Sequence, residues 1–183
     1  MIAIGLLHYP VYNKVGKVVQ TAIVSLDVHD LARLTKTYNL DCFYVIHPIS
    51  SQQNLIKRML KHWTEGYGAT YNPQRKLALE LVKIVSNYQE AIKDLSSNGL
   101  RTVTIITSAK KYKPYINYRD LKRRIEEKKN FENYLLIFGT GWGIEYQFCR
   151  CANLRLKPID TNSGYNHLSV RSAASIIIDR LFG

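Results

Sequence analysis

Six short apolar runs, rich in β-branched residues and separated by amphipathic stretches, limit what this chain can fold into. The candidate strands cover residues 2–8, 42–47, 79–85, 102–107, 134–139 and 154–158. Runs such as Leu135-Leu136-Ile137-Phe138 are continuously apolar rather than alternating, as in strands covered on both faces of a parallel sheet. Helices are predicted over 27–38, 51–65, 88–97, 118–129 and 169–181. In the last of these, Val170, Ala173, Ala174, Ile177 and Ile178 recur at helical spacing. The alternation predicts an α/β fold, a mostly parallel sheet with helices on both faces. At 183 residues the chain reads as a single domain, 1–183.

Composition narrows the class. A hydrophobic fraction of 46% and a charged fraction of 22% exclude a disordered chain. No uncharged apolar run approaches the roughly 18 residues of a membrane span, so no membrane partner is expected. The amino terminus lacks a charged leader and a small-residue cleavage site. Cys42, Cys149 and Cys151 are an odd number, against a secreted disulfide framework, and a cytoplasmic location is expected. Cys149-x-Cys151 has no second pair at zinc spacing, so no metal is expected.

Charge points to a polyanion. The chain carries 26 Lys and Arg against 14 Asp and Glu, a formal net charge of +12. Lys110, Lys111, Lys113, Arg119, Lys122, Arg123, Arg124, Lys128 and Lys129 lie in one segment with only Asp120, Glu126 and Glu127 as acids. Tyr112, Tyr115 and Tyr118 are interleaved with them. Such a stretch suits phosphate contact and base stacking, while a plain solvated helix face is the competing reading.

Ligands of parallel sheets sit beyond the carboxyl ends of the strands. There the chain places Thr107-Ser108-Ala109, then Gly139-Thr140-Gly141-Trp142-Gly143, then Pro158-Ile159-Asp160 and the run Tyr165-Asn166-His167-Leu168-Ser169-Val170. The alternate glycines permit a tight turn and close approach of backbone to a ligand. A dinucleotide-dependent enzyme would use this loop with Asp160 as the ribose acid, but its third glycine position is Ile144. His167 and Ser169 have no Gly-x-Ser-x-Gly elbow to make a hydrolase site. Asn166 or Ser169 is placed to cap the last helix.

The order Leu-Ile-Phe138-Gly139-Thr140-Gly141-Trp142-Gly143, then Leu156-Lys157-Pro158-Ile159, then Asn166-His167-Leu168-Ser169-Val170-Arg171-Ser172 resembles the second and third motifs of the SPOUT superfamily of RNA methyltransferases. Residues 25–33, ending at Arg33, resemble its first motif. The chain is similar, over essentially its whole length, to a small bacterial SPOUT family resembling the catalytic domain of tRNA guanine-N1 methyltransferases. The shared residues include His8-Tyr9-Pro10 and His62-Trp63-x-x-Gly66-x-Gly68-x-x-Tyr71-Asn72-Pro73-x-Arg75.

The resemblance implies a carboxyl-terminal deep trefoil knot, S-adenosylmethionine as cofactor with S-adenosylhomocysteine as product, and a homodimer. Its interface candidates are the last helix and residues 27–38. It implies methylation of RNA, with tRNA as the expected substrate and guanine N1 favoured over ribose 2′-O. Asp27 and His29-Asp30 stand where the ribose-methylating branch has Asn and Gly-Ala. The carboxyl-terminal helical domain of the guanine-N1 branch has no counterpart here, so RNA docking is expected on this domain or a partner subunit.

The implied cofactor residues are Thr107, Ser108, Phe138, Gly139, Thr140, Gly141, Trp142, Gly143, Pro158, Ile159, Tyr165, Asn166, His167, Leu168, Ser169 and Val170, with loop amides as the main donors. Asp30, Asp27 and Asp160 are candidate bases, and Arg33 and Arg171 candidate cations. Asp27 as a helix N-cap and Asp30–Arg33 as a surface pair are the structural alternatives. Lys110, Lys111, Arg123 and Arg75 are the RNA-contact candidates, and the glycines of residues 66–75 suit a hinged lid. A basic RNA-binding protein that keeps the fold without catalysis is the alternative in another class.

Overall fold

The computed structural model describes residues 1–160 and 162–183; Thr161, within the expected loop 158–169, lies outside the described residues. Six parallel strands form one sheet: β1 (Ile2–Leu7), β4 (Cys42–Ile46), β5 (Val82–Val85), β6 (Arg101–Ile106), β7 (Glu132–Gly139) and β8 (Leu154–Arg155). Their order is β5-β4-β1-β7-β6-β8. The chain leaves β1 towards β4 on one side and returns to β7 on the other, so β1 and β7 flank the point where strand order reverses.

Both faces of the sheet are buried, as continuous apolar runs require. Ile4, Leu6, Phe43, Val45, Val103, Ile105, Tyr134, Leu136 and Phe138 form one face. It is covered by α1 (Ser25–Thr37), α2 (Ser50–Thr64), α4 (Pro73–Leu79), α6 (Tyr118–Lys128) and α8 (Val170–Phe182). The alternate residues Ala3, Leu7, Tyr44, Ile46, Leu135 and Ile137 face the other way, against α5 (Tyr88–Leu95) and α7 (Tyr146–Cys151). The period of two along each strand thus divides one apolar run between two cores. Among the described residues, no helix is long and apolar enough to cross a membrane.

Besides the last strand, expected over 154–158 but ending at Arg155, four elements differ from the sequence expectation. The strand expected from residue 79 begins at Val82, because Leu79 ends α4 and is buried among the helices. Residues 66–75 hold α3 (Tyr67–Tyr71) and the start of α4, not an open loop. Asn72 caps α4 by accepting from the Arg75 amide, with Pro73 at the first position, a helix start written in the sequence. Gly66 and Gly68 pack rather than hinge: a Cβ on Gly68 would stand 2.7 Å from the Trp63 ring, and one on Gly66 2.9 Å from the His62 carbonyl.

A hairpin, β2 (Val11–Tyr12) and β3 (Val18–Val19), follows β1. Its turn is built by Asn13, whose Oδ1 accepts from the Val15 and Lys17 amides, and by Gly16 at φ +77°. The fourth is α7, whose first amides are capped by Glu145.

Candidate functional site: the cleft at the strand-order reversal

A cleft of about 760 Å³ opens at the carboxyl ends of β1, β7 and β6. Sheet topology dictates the place, since loops leaving either side of a reversal diverge and leave a crevice. Its floor is apolar, with Phe138, Ile144, Ile159, Ala173 and Ile177, and its rim is polar, with Thr21, Asp27, Ser108, Lys110, Asn166 and His167.

Of the expected cofactor residues, Thr107, Ser108, Phe138, Gly139, Thr140, Gly141, Trp142, Gly143, Ile159, Asn166, His167, Leu168, Ser169 and Val170 line this cleft. Pro158 is buried beside it, and Tyr165 stands outside the lining with its ring 5.3 Å from that of His167. Asn166 joins three loops: its side-chain amide donates to the Ala109 carbonyl at 3.2 Å and the Ile159 carbonyl at 3.0 Å. Ser169 caps α8 by accepting from the Ser172 amide.

The glycine loop is shaped by the hairpin. Trp142 donates its amide to the Tyr12 carbonyl, Tyr12 donates to the Gly143 carbonyl, and Ile144 bridges to Val11. A Cβ on Gly141 (φ +58°) would lie 2.8 Å from the Tyr12 oxygen. The amides of Thr140, Trp142 and Gly143 are all hydrogen-bonded within the protein, so the loop holds fewer free donors than a cradle of amides requires. A Cβ on Gly143 (φ +100°) meets nothing within 4 Å, which leaves the cleft open beside it.

Beneath the loop runs a chain of hydroxyls and imidazoles. Thr140 Oγ1 donates to the Leu7 carbonyl and lies 2.5 Å from Thr21 Oγ1, which lies 3.1 Å from His8 Nδ1. Thr140 uses its only proton on Leu7, so Thr21 donates to Thr140 and His8 carries its proton on Nδ1. His8 Nε2 is then a buried lone pair with no partner among the described residues. Burial, then the neighbouring His47, pushes the His8 imidazole down to about 3, so it stays neutral. His47 donates from Nε2 to the Thr21 carbonyl and accepts the Ile49 amide at Nδ1.

The charged candidates separate. Asp27 lines the cleft; Asp30, Arg33, Arg171, Lys111, Arg123 and Arg75 do not. Asp27 is not the N-cap of α1, a place held by Val24. Arg171 Nε sits 3.1 Å from Asp27 Oδ1, and its Nη1 3.5 Å from Asp30 Oδ2. Burial pushes the Asp27 carboxyl above the usual carboxylate range, Arg171 opposes that rise and Asp30 adds to it. Asp30 therefore faces Arg171 rather than Arg33, which is exposed.

Asp160 is exposed and paired with Lys111 at 2.8 Å, which holds its carboxyl low. Arg123 pairs with Asp120, Arg75 stacks over Trp63 at 4.2 Å, and Lys110 lies over the Tyr12 ring at 5.0 Å on the cleft rim.

Sequence reasoning did not include Thr21 or His8 in the site, because nothing local ties them to a loop 120 residues away. A dinucleotide site fits poorly, since the helix after the glycine loop has its first amides taken by the Glu145 carboxylate, where a pyrophosphate would sit.

A family model described as SAM-dependent RNA methyltransferase matches residues 1–183. A tRNA (guanine-N(1)-)-methyltransferase of Oleidesulfovibrio alaskensis is 39% identical over 179 residues, covering 98% of this chain and 41% of that protein. An uncharacterised protein of Aquifex aeolicus is 35% identical over 180 residues, 98% of this chain and 87% of that one. The chain therefore spans about two-fifths of the tRNA methyltransferase but most of the Aquifex protein. Among solved structures, a methylase family protein from Neisseria gonorrhoeae matches with a TM-score of 0.66 at 18% identity, covering 99% of this chain and 81% of that one. The SpoU methyltransferase AviRb from Streptomyces viridochromogenes, solved in complex with AdoMet, matches at 0.57 and 9% identity, over all of this chain and 56% of that one. These likenesses show the fold.

Proposed function

Since the chain belongs to the SAM-dependent RNA methyltransferase family, we propose that it methylates tRNA, at guanine N1 rather than a ribose hydroxyl, with Asp27 as the base. The observation carrying this reading is a carboxyl on the cleft wall, raised by burial and held by Arg171 at 3.1 Å. Guanine N1 holds a proton that must leave as the methyl group arrives, and a carboxylate of raised pKa beside the cleft suits that removal. Arg171 is a positioning residue that fixes the Asp27 carboxylate.

The cleft suits the cofactor. Its apolar floor, open space beside Gly143 and few charged side chains match a ligand with a flat purine and a short zwitterionic tail. Phe138, Ile144 and Ile159 would pack the purine, while Ser108, Asn166 and the 166–170 backbone would meet the polar tail. When bound, S-adenosylmethionine supplies the methyl group. Lys110, on the rim, would meet an RNA phosphate.

The reading extends to the carboxyl-terminal trefoil knot and to a homodimer through α1 and α8, whose edge exposes the apolar Val24, Leu26 and Leu168. The test is incubation of the purified chain with unmodified tRNA and labelled S-adenosylmethionine, followed by mass spectrometry of the nucleosides. We expect 1-methylguanosine. A 2′-O-methyl nucleoside would refute the base assignment, and S-adenosylhomocysteine binding without methyl transfer would favour the non-catalytic RNA-binding alternative.

A further inference from the structure

We infer that Tyr67 and Tyr71 form a stacking platform for single-stranded nucleotides that flank the methylation target, an inference resting on the RNA-modifying reading above. Both rings are on α3, 75% and 71% exposed, with centroids 6.0 Å apart and planes inclined by 25°. Two large aromatic faces turned to water at adjacent positions are costly unless something covers them. Base stacking on such faces is tolerant of sequence and accounts for much of single-strand affinity.

The platform is built in. α3 sits on the Trp63 indole through Gly68, where any Cβ would stand 2.7 Å from the ring. Arg75 lies over the Trp63 ring at 4.2 Å, and His29 meets its edge at 5.7 Å. His29 on α1 and Arg75 on α4 thus both pack on the Trp63 ring on which α3 rests, and α1 also carries Asp27 of the cleft wall.

Charge selects the occupant. Residues 50–80 carry Lys57, Arg58, Lys61, Arg75 and Lys76 against Glu65 and Glu80, the latter paired with Lys76 at 3.8 Å. Lys57, Arg58 and Lys61 are exposed, and among the described residues no carboxylate pairs with them. Exposed aromatics beside unpaired cations suit a phosphate-linked chain of bases, whereas a second copy of this basic face would be repelled.

The test compares the wild-type chain with Y67A/Y71A and Y67F/Y71F. Binding of a fluorescein-labelled 12-nucleotide polyuridine RNA and of tRNA is read by anisotropy, binding of S-adenosylhomocysteine by calorimetry, and assembly by sedimentation. We expect Y67A/Y71A to lose about tenfold or more in polyuridine affinity. Y67F/Y71F should stay within about twofold, because the ring faces remain, and S-adenosylhomocysteine affinity should be unchanged in all three. Tight tRNA and polyuridine binding by Y67A/Y71A would overturn the platform and leave the methyltransferase reading standing. A wild type that binds neither RNA would overturn both. A change of oligomeric state in Y67A/Y71A would show a protein interface instead and would equally overturn the platform.

Discussion

The guanidinium of Arg171 on α8 meets Asp27 at 3.1 Å and also reaches Asp30 at 3.5 Å, so one cation spans two carboxylates of α1. Arg171 lies 141 residues from Asp30 and further still from Asp27 in sequence, and Asp27 alone of the three lines the cleft. Removing either member of the Asp27–Arg171 pair therefore has consequences that can be separated.

Asp27→Asn is expected to lower methyl transfer by about 100-fold or more, the usual worth of a positioned base, with S-adenosylhomocysteine affinity little changed. Arg171→Gln removes the influence that lowers the Asp27 pKa, so the acidic limb of the pH–rate profile moves to higher pH. Rates at a series of pH values check this, and an unmoved limb would remove Asp27 from the titration. The sign for stability follows: Asp27, raised in the folded state, contributes stability below its unfolded pKa that is lost as pH climbs through the raised value.

Gly141→Val introduces a branched side chain 2.8 Å from the Tyr12 carbonyl at a positive φ. It should cost about 2 kcal/mol or more, a fall in Tm of about 4–8 °C for a chain of this size. Cofactor binding should weaken with it, as the hairpin releases the loop. Gly16→Ala, at φ +77° but with nothing within 4 Å, should cost about 1 kcal/mol and leave cofactor affinity intact. Thermal melts with calorimetry distinguish the two, and equal cofactor losses would refute the bracing role of the hairpin.

His8 has the opposite linkage to Asp27. Its folded pKa is pushed down to about 3 from an ordinary 6.5, so its contribution is present above pH 6.5 and falls as pH drops towards 3. The slope is about 1.4 kcal/mol per pH unit for one proton. His8→Gln should flatten the acid dependence of urea unfolding between pH 4.5 and 7. Identical slopes in both proteins would assign that loss to other groups.

Lys110→Ala should weaken RNA binding more than Lys111→Ala or Arg123→Ala, since Asp160 and Asp120 partly neutralise the latter two. Each lost phosphate contact to single-stranded RNA reduces the slope of log affinity against log salt by about 0.7. Binding measured across a salt series reads this directly. Equal slopes in wild type and Lys110→Ala would take Lys110 off the RNA path.

Much of the fold was legible in the sequence because it depends on local pattern. The run through Phe138 declared a doubly covered strand, and Gly139, Gly141 and Gly143 marked the loop beyond it. The short elements were less legible. Leu79 is as apolar in a helix as in a strand, and only Asn72-Pro73 upstream signals the helix that contains it. The hairpin was not read at all, since strands of two residues at Val11 and Val18 carry too little periodicity to declare one.

The sequence by itself determined the layering, the parallel order of burial and the three loops that meet at the cleft, since apolar runs and glycines act on the backbone around them. Only the tertiary structure decided who meets whom. Arg171 faces Asp27 and Asp30, Gly141 accommodates the Tyr12 carbonyl, and Thr21 ties His8 to Thr140. Those partners depend on how each helix is rotated and docked against the sheet, a property of the whole packed core that no spacing within a segment contains.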